Sequence, residues 1–123
     1  RALYRQLGYE RLPGLIERFS SRMGVTPGKL RVWELHNRWA SCSLVGNLNF
    51  HWRVMALPLD VLEYLVVHEL AHLIYPDHSK EFWETVDQYK YAERAKGYLI
   101  ALGDKTGDKE GTTPEAENIF SEL

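Results

Sequence analysis

The amino-acid sequence predicts a mixed α+β fold, with a small, mainly antiparallel three-stranded sheet packed on one long apolar helix and with flanking helices. Three observations support this prediction. Apolar residues recur at helical spacing near the start of the chain and again in its second half. The segment between these regions is rich in β-branched and aromatic residues that alternate with polar ones. Finally, a chain of 123 residues can bury a core of its own without disulfides.

The first predicted element is an amphipathic helix over residues 12–23, with Pro13 in its first turn and Gly24 as its C-terminal stop. A shorter helical segment is expected before it, where apolar residues also recur. The apolar positions of the longer helix follow the helical period and should face the core. They are Leu12, Leu15, Ile16, Phe19 and Met23.

Three strands are predicted next, over residues 30–36, 39–45 and 48–54. The third strand alternates large apolar residues with polar ones, which is typical of a strand with one buried face. We therefore expect one side of the sheet to lie on the helices and the other side to meet solvent.

The link between the second and third strands predicts their register. Gly46-Asn47 suits a two-residue hairpin turn, because glycine accepts a positive φ. This turn would place Cys42 opposite His51, a pair that could bind a soft metal. Two ligands alone make a poor site, however, and a lone cysteine is more often a small packed apolar residue.

The second half of the chain is predicted to be helical. Apolar residues spaced by three and four predict a helix over residues 59–75, which Pro76 closes. Further helices are predicted over residues 79–86 and about 91–102. The helix over residues 59–75 is the most apolar of these and should form the centre of the core.

Composition divides the chain into a domain and a tail. Residues 1–103 are predicted to form a single domain, and residues 104–123 an acidic, flexible C-terminal tail with few large apolar side chains. Positive charge is concentrated near the start, where residues 1–56 contain nine Lys or Arg and three Asp or Glu. Such asymmetry can mark a nucleic-acid surface, but a solvated arginine-bearing helix face is the commoner cause.

Cysteine content and hydropathy bear on the cellular setting. Cys42 is the one cysteine, so no internal disulfide can form, and no apolar run is long enough for a signal peptide or a membrane span. A cytoplasmic location without a membrane partner fits these features best. The sequence begins at Arg1 rather than at a methionine, so a longer parent protein is conceivable, and the oligomeric state is not predicted.

The stretch HELAHLIYPDH, which begins at His68, carries the chemistry. His68 and His72 lie four residues apart on the predicted helix, so their imidazoles project from one face and can reach the same ion. Glu69 lies beside them, where it could take a proton from a water at the metal. Because the helix ends soon after His72, His78 can fold back to supply a third ligand.

Chance and ordinary packing are the alternatives to a metal site. In shuffled chains of this composition, such a motif with its third histidine would occur in about 0.1% of cases. Histidines stacked for packing alone would leave polar nitrogens that need partners. We therefore predict one zinc ion per chain, with another divalent transition metal as the alternative. His36 and His51 are interpreted as ordinary strand or loop histidines.

Three segments of the sequence, RWASCS, LNFHWRVMALPLDVLEYLVVHELAHL and HSKEFW, resemble a known family. They are similar to the YgjP-like metallopeptidase domain, a relative of the WLM and SprT-like zincins, over about residues 28–103. The histidine spacing also equals that of the metzincins. Tyr75, however, stands where those enzymes need glycine, and no Met-turn is apparent.

The resemblance implies a zincin-like fold and a set of site residues. It implies that His68, His72 and His78 are the metal ligands and that Glu69 is the catalytic base. It also implies that the strand over residues 38–43 borders the active cleft. The residue that stabilises the oxyanion is not identified, because Arg38, Tyr64 and Tyr75 are each better explained as structural.

The predicted function is zinc-dependent hydrolysis by a metallopeptidase that acts on protein or peptide. One alternative is a metal-dependent nucleotide or phosphate-ester hydrolase, although the sequence has no glycine-rich phosphate loop and no second carboxylate cluster. The other is a non-catalytic, metal-stabilised module associated with DNA. Glu69 argues against that module, because a purely structural zinc site favours a fourth protein ligand over a nearby carboxylate.

Overall fold

The computed structural model describes residues 1–103 and confirms the α+β class. The segment 104–123, predicted to be a flexible tail, lies outside the described residues. Helices and strands follow the predicted order, with shorter strands than expected. The elements are α1 (Ala2–Met23), β1 (Leu30–Trp33), β2 (Ala40–Cys42), β3 (Leu48–His51), a 3-10 helix (Trp52–Ala56), α2 (Leu59–Ala71), α3 (Lys80–Val86) and α4 (Ala92–Ala101).

The sheet is mixed rather than purely antiparallel, because one of its two strand pairings is parallel. Its strand order is β1-β3-β2, in which β1 runs parallel to β3 and β2 runs antiparallel to it. The hairpin joins β2 to β3 as expected. β1 lies on the other side of β3, where its buried Val32 is in register with Phe50. This pairing joins segments far apart in sequence, which local patterns do not predict.

The hairpin turn differs from the predicted two-residue turn. Residues 44–46 form a three-residue connection, in which the Gly46 N–H donates to Ser43 O at 2.9 Å and the Ser43 N–H donates to Asn47 O at 2.9 Å. Gly46 does take a positive φ, of 90°. It does so in the left-handed position that follows a turn, a common arrangement for hairpins of this length.

The change of turn shifts the register of the whole hairpin. Cys42 pairs with Leu48 rather than with His51, and the His51 N–H donates to Trp39 O at 2.8 Å. The expected juxtaposition of Cys42 and His51 is therefore wrong, and the soft-metal site that depended on it is not formed. Cys42 is half-buried and packs against the core as a small apolar side chain.

Helix α1 is one continuous element of 22 residues, not two segments. Pro13 lies inside it instead of in a first turn. An interior proline removes one backbone hydrogen bond, but Leu12 and Ile16 on either side of it are buried against the core, which holds the helix together. The helix ends at Gly24, whose φ is 72°. None of the described helices is both long and apolar enough to cross a membrane.

Side chains of α1 cover the outer edge of β1. The Arg5 Nε–H donates to Val32 O at 3.1 Å, and the Val32 N–H donates to the Tyr9 hydroxyl oxygen at 2.9 Å. In a parallel pair, both polar groups of a residue such as Val32 point away from the neighbouring strand. The helix therefore satisfies backbone groups that would otherwise lie open at this edge.

Helix α2 forms the centre of the core and carries the candidate site. Nearly all of its residues are buried, and it contacts α1, α3, α4 and β2. The regular helix ends at Ala71, earlier than the predicted end at residue 75. Tighter hydrogen bonds continue the turn, with Leu73 N–H donating to Leu70 O at 3.0 Å and Ile74 N–H donating to Ala71 O at 3.0 Å.

Candidate metal centre

Three histidines converge where α2 ends and the chain turns back toward α3. One nitrogen from each of His68, His72 and His78 lies within 4.8 Å of the others. A tetrahedral zinc site needs ligand nitrogens about 3.3 Å apart, given Zn–N bonds of about 2.0–2.1 Å. The cluster therefore has the number and type of ligands of a zinc site, within a spacing limit of 4.8 Å that is wider than a bound zinc requires.

The rings of His68 and His72 are held through their Nδ1 atoms. His72 Nδ1 lies 3.1 Å from Tyr75 O, which can only accept, so Nδ1 carries the proton. His68 Nδ1 lies 3.2 Å from Glu69 Oε2. Metal-binding histidines commonly donate one ring N–H to a carbonyl or carboxylate in this way, which leaves the Nε2 lone pair for the metal. The donor set therefore fits a divalent metal ion.

Glu69 is fully buried next to the histidines. Its Oε2 contacts the neighbouring His68, and its Oε1 is also shielded from solvent. In this structure the carboxylate therefore orients a ring of the cluster. Burying a charged carboxylate costs several kcal/mol of folding free energy unless cations or hydrogen-bond donors compensate for the charge. His68 compensates for it here, and a bound metal ion would do so as well.

Two aromatic side chains of α3 surround the cluster. The Phe82 ring lies 4.4 Å from the His72 ring in a stacked arrangement, 5.1 Å from His68 and 5.0 Å from His78, centroid to centroid. Trp83 stacks on His78 at 5.4 Å. The sequence contained these residues within the HSKEFW motif but gave them no role. Their contacts show that they fix the ring orientations.

The start of α3 determines where these two rings lie. The Phe82 N–H donates to the Ser79 hydroxyl oxygen at 3.2 Å, so Ser79 caps the helix directly after His78. The cap fixes the direction in which the chain leaves the cluster. The first turn of α3 therefore presents Phe82 and Trp83 to the histidines.

A cleft of about 570 Å³ opens beside His72. Its walls come from the turn after α2, the segment after α1 and the hairpin loop, with Cys42 and Ser43 among the lining residues. Of the three histidines, His72 is the one that lines this cleft, and Cys42 and Ser43 are the members of the segment 38–43 that border it; that this is the active cleft stays a prediction. The exposed apolar residues Leu44 and Val45 form part of the same lining.

The other candidates from the sequence are not members of the histidine cluster, although two of them lie next to it. Tyr64 is fully buried with its ring 6.1 Å from that of His68, and Tyr75 contributes its backbone carbonyl to the site. Among the described residues, the metal-type cluster contains neither His36 nor His51. His51 instead caps the 3-10 helix, since its Nδ1 accepts from the Arg53 N–H at 3.0 Å.

A mixed sheet on an apolar helix, with three histidines gathered at the helix end, is the arrangement of a metal-binding domain. The family model described as the YgjP-like, metallopeptidase domain matches residues 1–96. The chain belongs to this family, as its motifs predicted.

One solved structure similar to the chain is the crystal structure of the metallopeptidase zymogen of Pyrococcus abyssi abylysin. The TM-score is 0.65 at 24% sequence identity, and the match covers 73% of this chain and 92% of that one. This similarity supports the fold. No curated protein matches the chain.

Proposed function

We propose that the protein is a zinc-dependent metallopeptidase in which His68, His72 and His78 bind the metal and Glu69 is the general base. The observation that carries the proposal is the convergence of the three imidazoles to within 4.8 Å. Three histidines and an adjacent carboxylate are a set that binds and uses zinc, since a catalytic zinc keeps three protein ligands and one open position.

Each residue has a distinct task in this proposal. The Tyr75 carbonyl and the ring packing of Phe82 hold His72 ready for the ion. When bound, zinc would supply Lewis acidity at the scissile carbonyl and at the attacking water. Glu69 accepts a proton from the attacking water and passes it to the leaving amine. Its buried position keeps bulk water from competing for that proton.

The lining of the cleft favours a peptide over a phosphate ester. No lysine or arginine occurs among the described residues that line it. Phosphoryl transfer needs cationic groups on the phosphate oxygens, whereas a peptide needs apolar contacts and backbone partners. The exposed side chains of Leu44 and Val45 and the strand end at Cys42 provide such a surface.

The test combines metal content with activity. The zinc-loaded protein is assayed side by side on an unfolded protein, on peptides and on nucleoside triphosphates, and metal is measured by elemental analysis. Glu69→Gln should keep the metal and lose about 10²- to 10⁴-fold in peptidase rate, the usual contribution of a general base. His78→Ala should lose the metal. His36→Ala, which replaces an exposed histidine outside the cluster, should change neither.

Two outcomes would contradict the proposal. Full peptidase activity in Glu69→Gln would remove the mechanism, and unchanged metal affinity in His78→Ala would remove the third ligand. Hydrolysis of nucleoside triphosphates alone would favour the phosphate-ester alternative. If no substrate class is hydrolysed by a protein that retains zinc, the non-catalytic module becomes the better explanation.

A further inference from the structure

On the face of the sheet that points away from α1 and α2, aromatic and polar side chains lie in separate rows across the strands. Val32, Phe50 and Ala40 are in register across the three strands and all are fully buried, which identifies the core face. Side chains alternate along a strand, so their neighbours lie on the other side. We define that opposite side as the outer face.

An aromatic row crosses the outer face from one edge to the other. Trp33 of β1 is in register with His51 of β3, and the His51 N–H bonds to the carbonyl of Trp39 on the far side. The rings of Trp39 and His51 lie 6.5 Å apart. Trp52, whose ring lies 5.2 Å from that of His51, packs against the core and against Tyr4 of α1 and therefore is not part of the row. Strands are spaced by about 4.8 Å, so the row spans roughly 10 Å.

A polar row runs beside the aromatic one. It consists of Arg31, Asn49 and Ser41, which are in register on β1, β3 and β2. The Arg31 guanidinium lies 3.9 Å from the centre of the Trp33 ring. This distance joins a fixed positive charge to an aromatic surface that is 37% exposed. The half-buried Asn49 amide, which can recognise a base edge, lies next to it, whereas Ser41 is buried.

The charges around the two rows are mostly positive. Arg53 lies 5.2 Å from the Trp52 ring, and Arg1 lies 5.7 Å from it. Glu34, an acidic side chain near the row, is paired with Arg1 at 3.2 Å. The outer face therefore combines arginine with aromatic rings in the part of the chain where basic residues outnumber acidic ones by nine to three.

We propose that the outer face of the sheet binds single-stranded nucleic acid. Unpaired bases stack on aromatic side chains and on arginine planes, while cations follow the phosphates, and such binding tolerates many sequences. A duplex hides its base faces, so an aromatic row gives it no advantage. The surface lies on the other side of the sheet from α2, so binding there is separate from the peptidase chemistry proposed above.

Fluorescence anisotropy with a labelled oligothymidylate of about 12 nucleotides tests the proposal on the full chain. Trp33→Ala should weaken binding about 5- to 150-fold, the effect of losing one stacked base. Trp33→Phe, which keeps a ring, should retain most of the affinity. Arg31→Gln should reduce the slope of log affinity against log salt by about 0.7.

Matched controls separate stacking from net charge. Arg94→Gln removes one exposed positive charge on α4 and should leave affinity and salt slope unchanged. Thermal melting of each variant shows whether it is folded. The proposal is overturned if the oligonucleotide does not bind, if Trp33→Ala binds as well as the parent, or if a duplex binds equally tightly. Equal displacement by polyglutamate would also overturn it, because the surface would then recognise charge alone.

Discussion

Replacing Phe82 with leucine tests whether ring packing, beyond the ligands themselves, sets the affinity for metal. Phe82 is fully buried and contacts all three imidazoles, with the closest pair stacked at 4.4 Å. Leucine keeps an apolar side chain at this position but removes the flat surface that holds the rings. The substitution therefore changes how well the ligands are ordered, without altering any ligand.

The magnitude follows from the contacts that are lost. An aromatic pair contributes about 0.5–1.5 kcal/mol beyond its buried area, so Phe82→Leu should lower the free energy of unfolding by about 1–3 kcal/mol. If two histidines regain rotational freedom, each costs about 0.5–1 kcal/mol to order again on binding. The dissociation constant for zinc should then rise about 5- to 30-fold.

Zinc affinity is measured by competition with a chromophoric chelator, and stability by thermal melting without metal. Phe50→Leu is the matched control, because Phe50 is equally buried but lies on β3, in register with Val32 and Ala40. It should lower the melting temperature to a similar extent and leave the zinc affinity nearly unchanged. If both variants weaken zinc binding equally, global stability rather than ring packing sets the affinity and the reasoning is refuted.

Three further predictions concern stability. Burial, together with the hydrogen bond to Glu63, raises the pKa of Tyr89 above its usual value near 10, so the free energy of unfolding should fall as pH rises past about 10. Tyr89→Phe should make that fall smaller, as measured by urea unfolding at each pH. Burial and the nearby Arg53 lower the pKa of His51, so the stability of the fold should decline as pH falls below about 6.5. His51→Asn can still cap the 3-10 helix and should make this decline between about pH 7 and pH 5 smaller. Pro13→Ala should raise the melting temperature, because an interior proline costs a helix up to about 3 kcal/mol. The greater conformational entropy of the unfolded alanine variant offsets part of this gain. An unchanged melting temperature would mean that the helix already accommodates the proline ring.

The helices could be predicted because their signals are local, whereas the sheet register could not. Gly46 correctly indicated a positive φ, but several hairpin turns place glycine in that conformation. The apolar pair Leu44 and Val45 looked like part of a strand, yet it forms the exposed turn. Only the packing of Cys42 and Leu48 on the core face distinguishes the two registers, and that depends on elements distant in sequence.

In the candidate site, too, the local features could be predicted from the sequence and the long-range contacts could not. His68 and His72 are four residues apart, a little more than one helical turn, so the sequence alone predicts that they share a helix face. The approach of His78 followed from the helix stop. The position of Phe82 against all three rings could not be predicted, because it requires the direction of α3 relative to the end of α2. The backbone partner of His72 was likewise visible only in three dimensions.

The closed edge of β1 limits how copies of this protein can assemble. Sheets that extend from molecule to molecule need two open edges in each molecule, one to receive a strand and one to offer the next. Arg5 and Tyr9 occupy both polar groups of Val32, so one of the two edges is already taken. If two molecules joined through the other edge of the sheet, at β2, the assembly would stop at a dimer. The same two side chains that attach α1 to the sheet would thereby prevent growth into fibres.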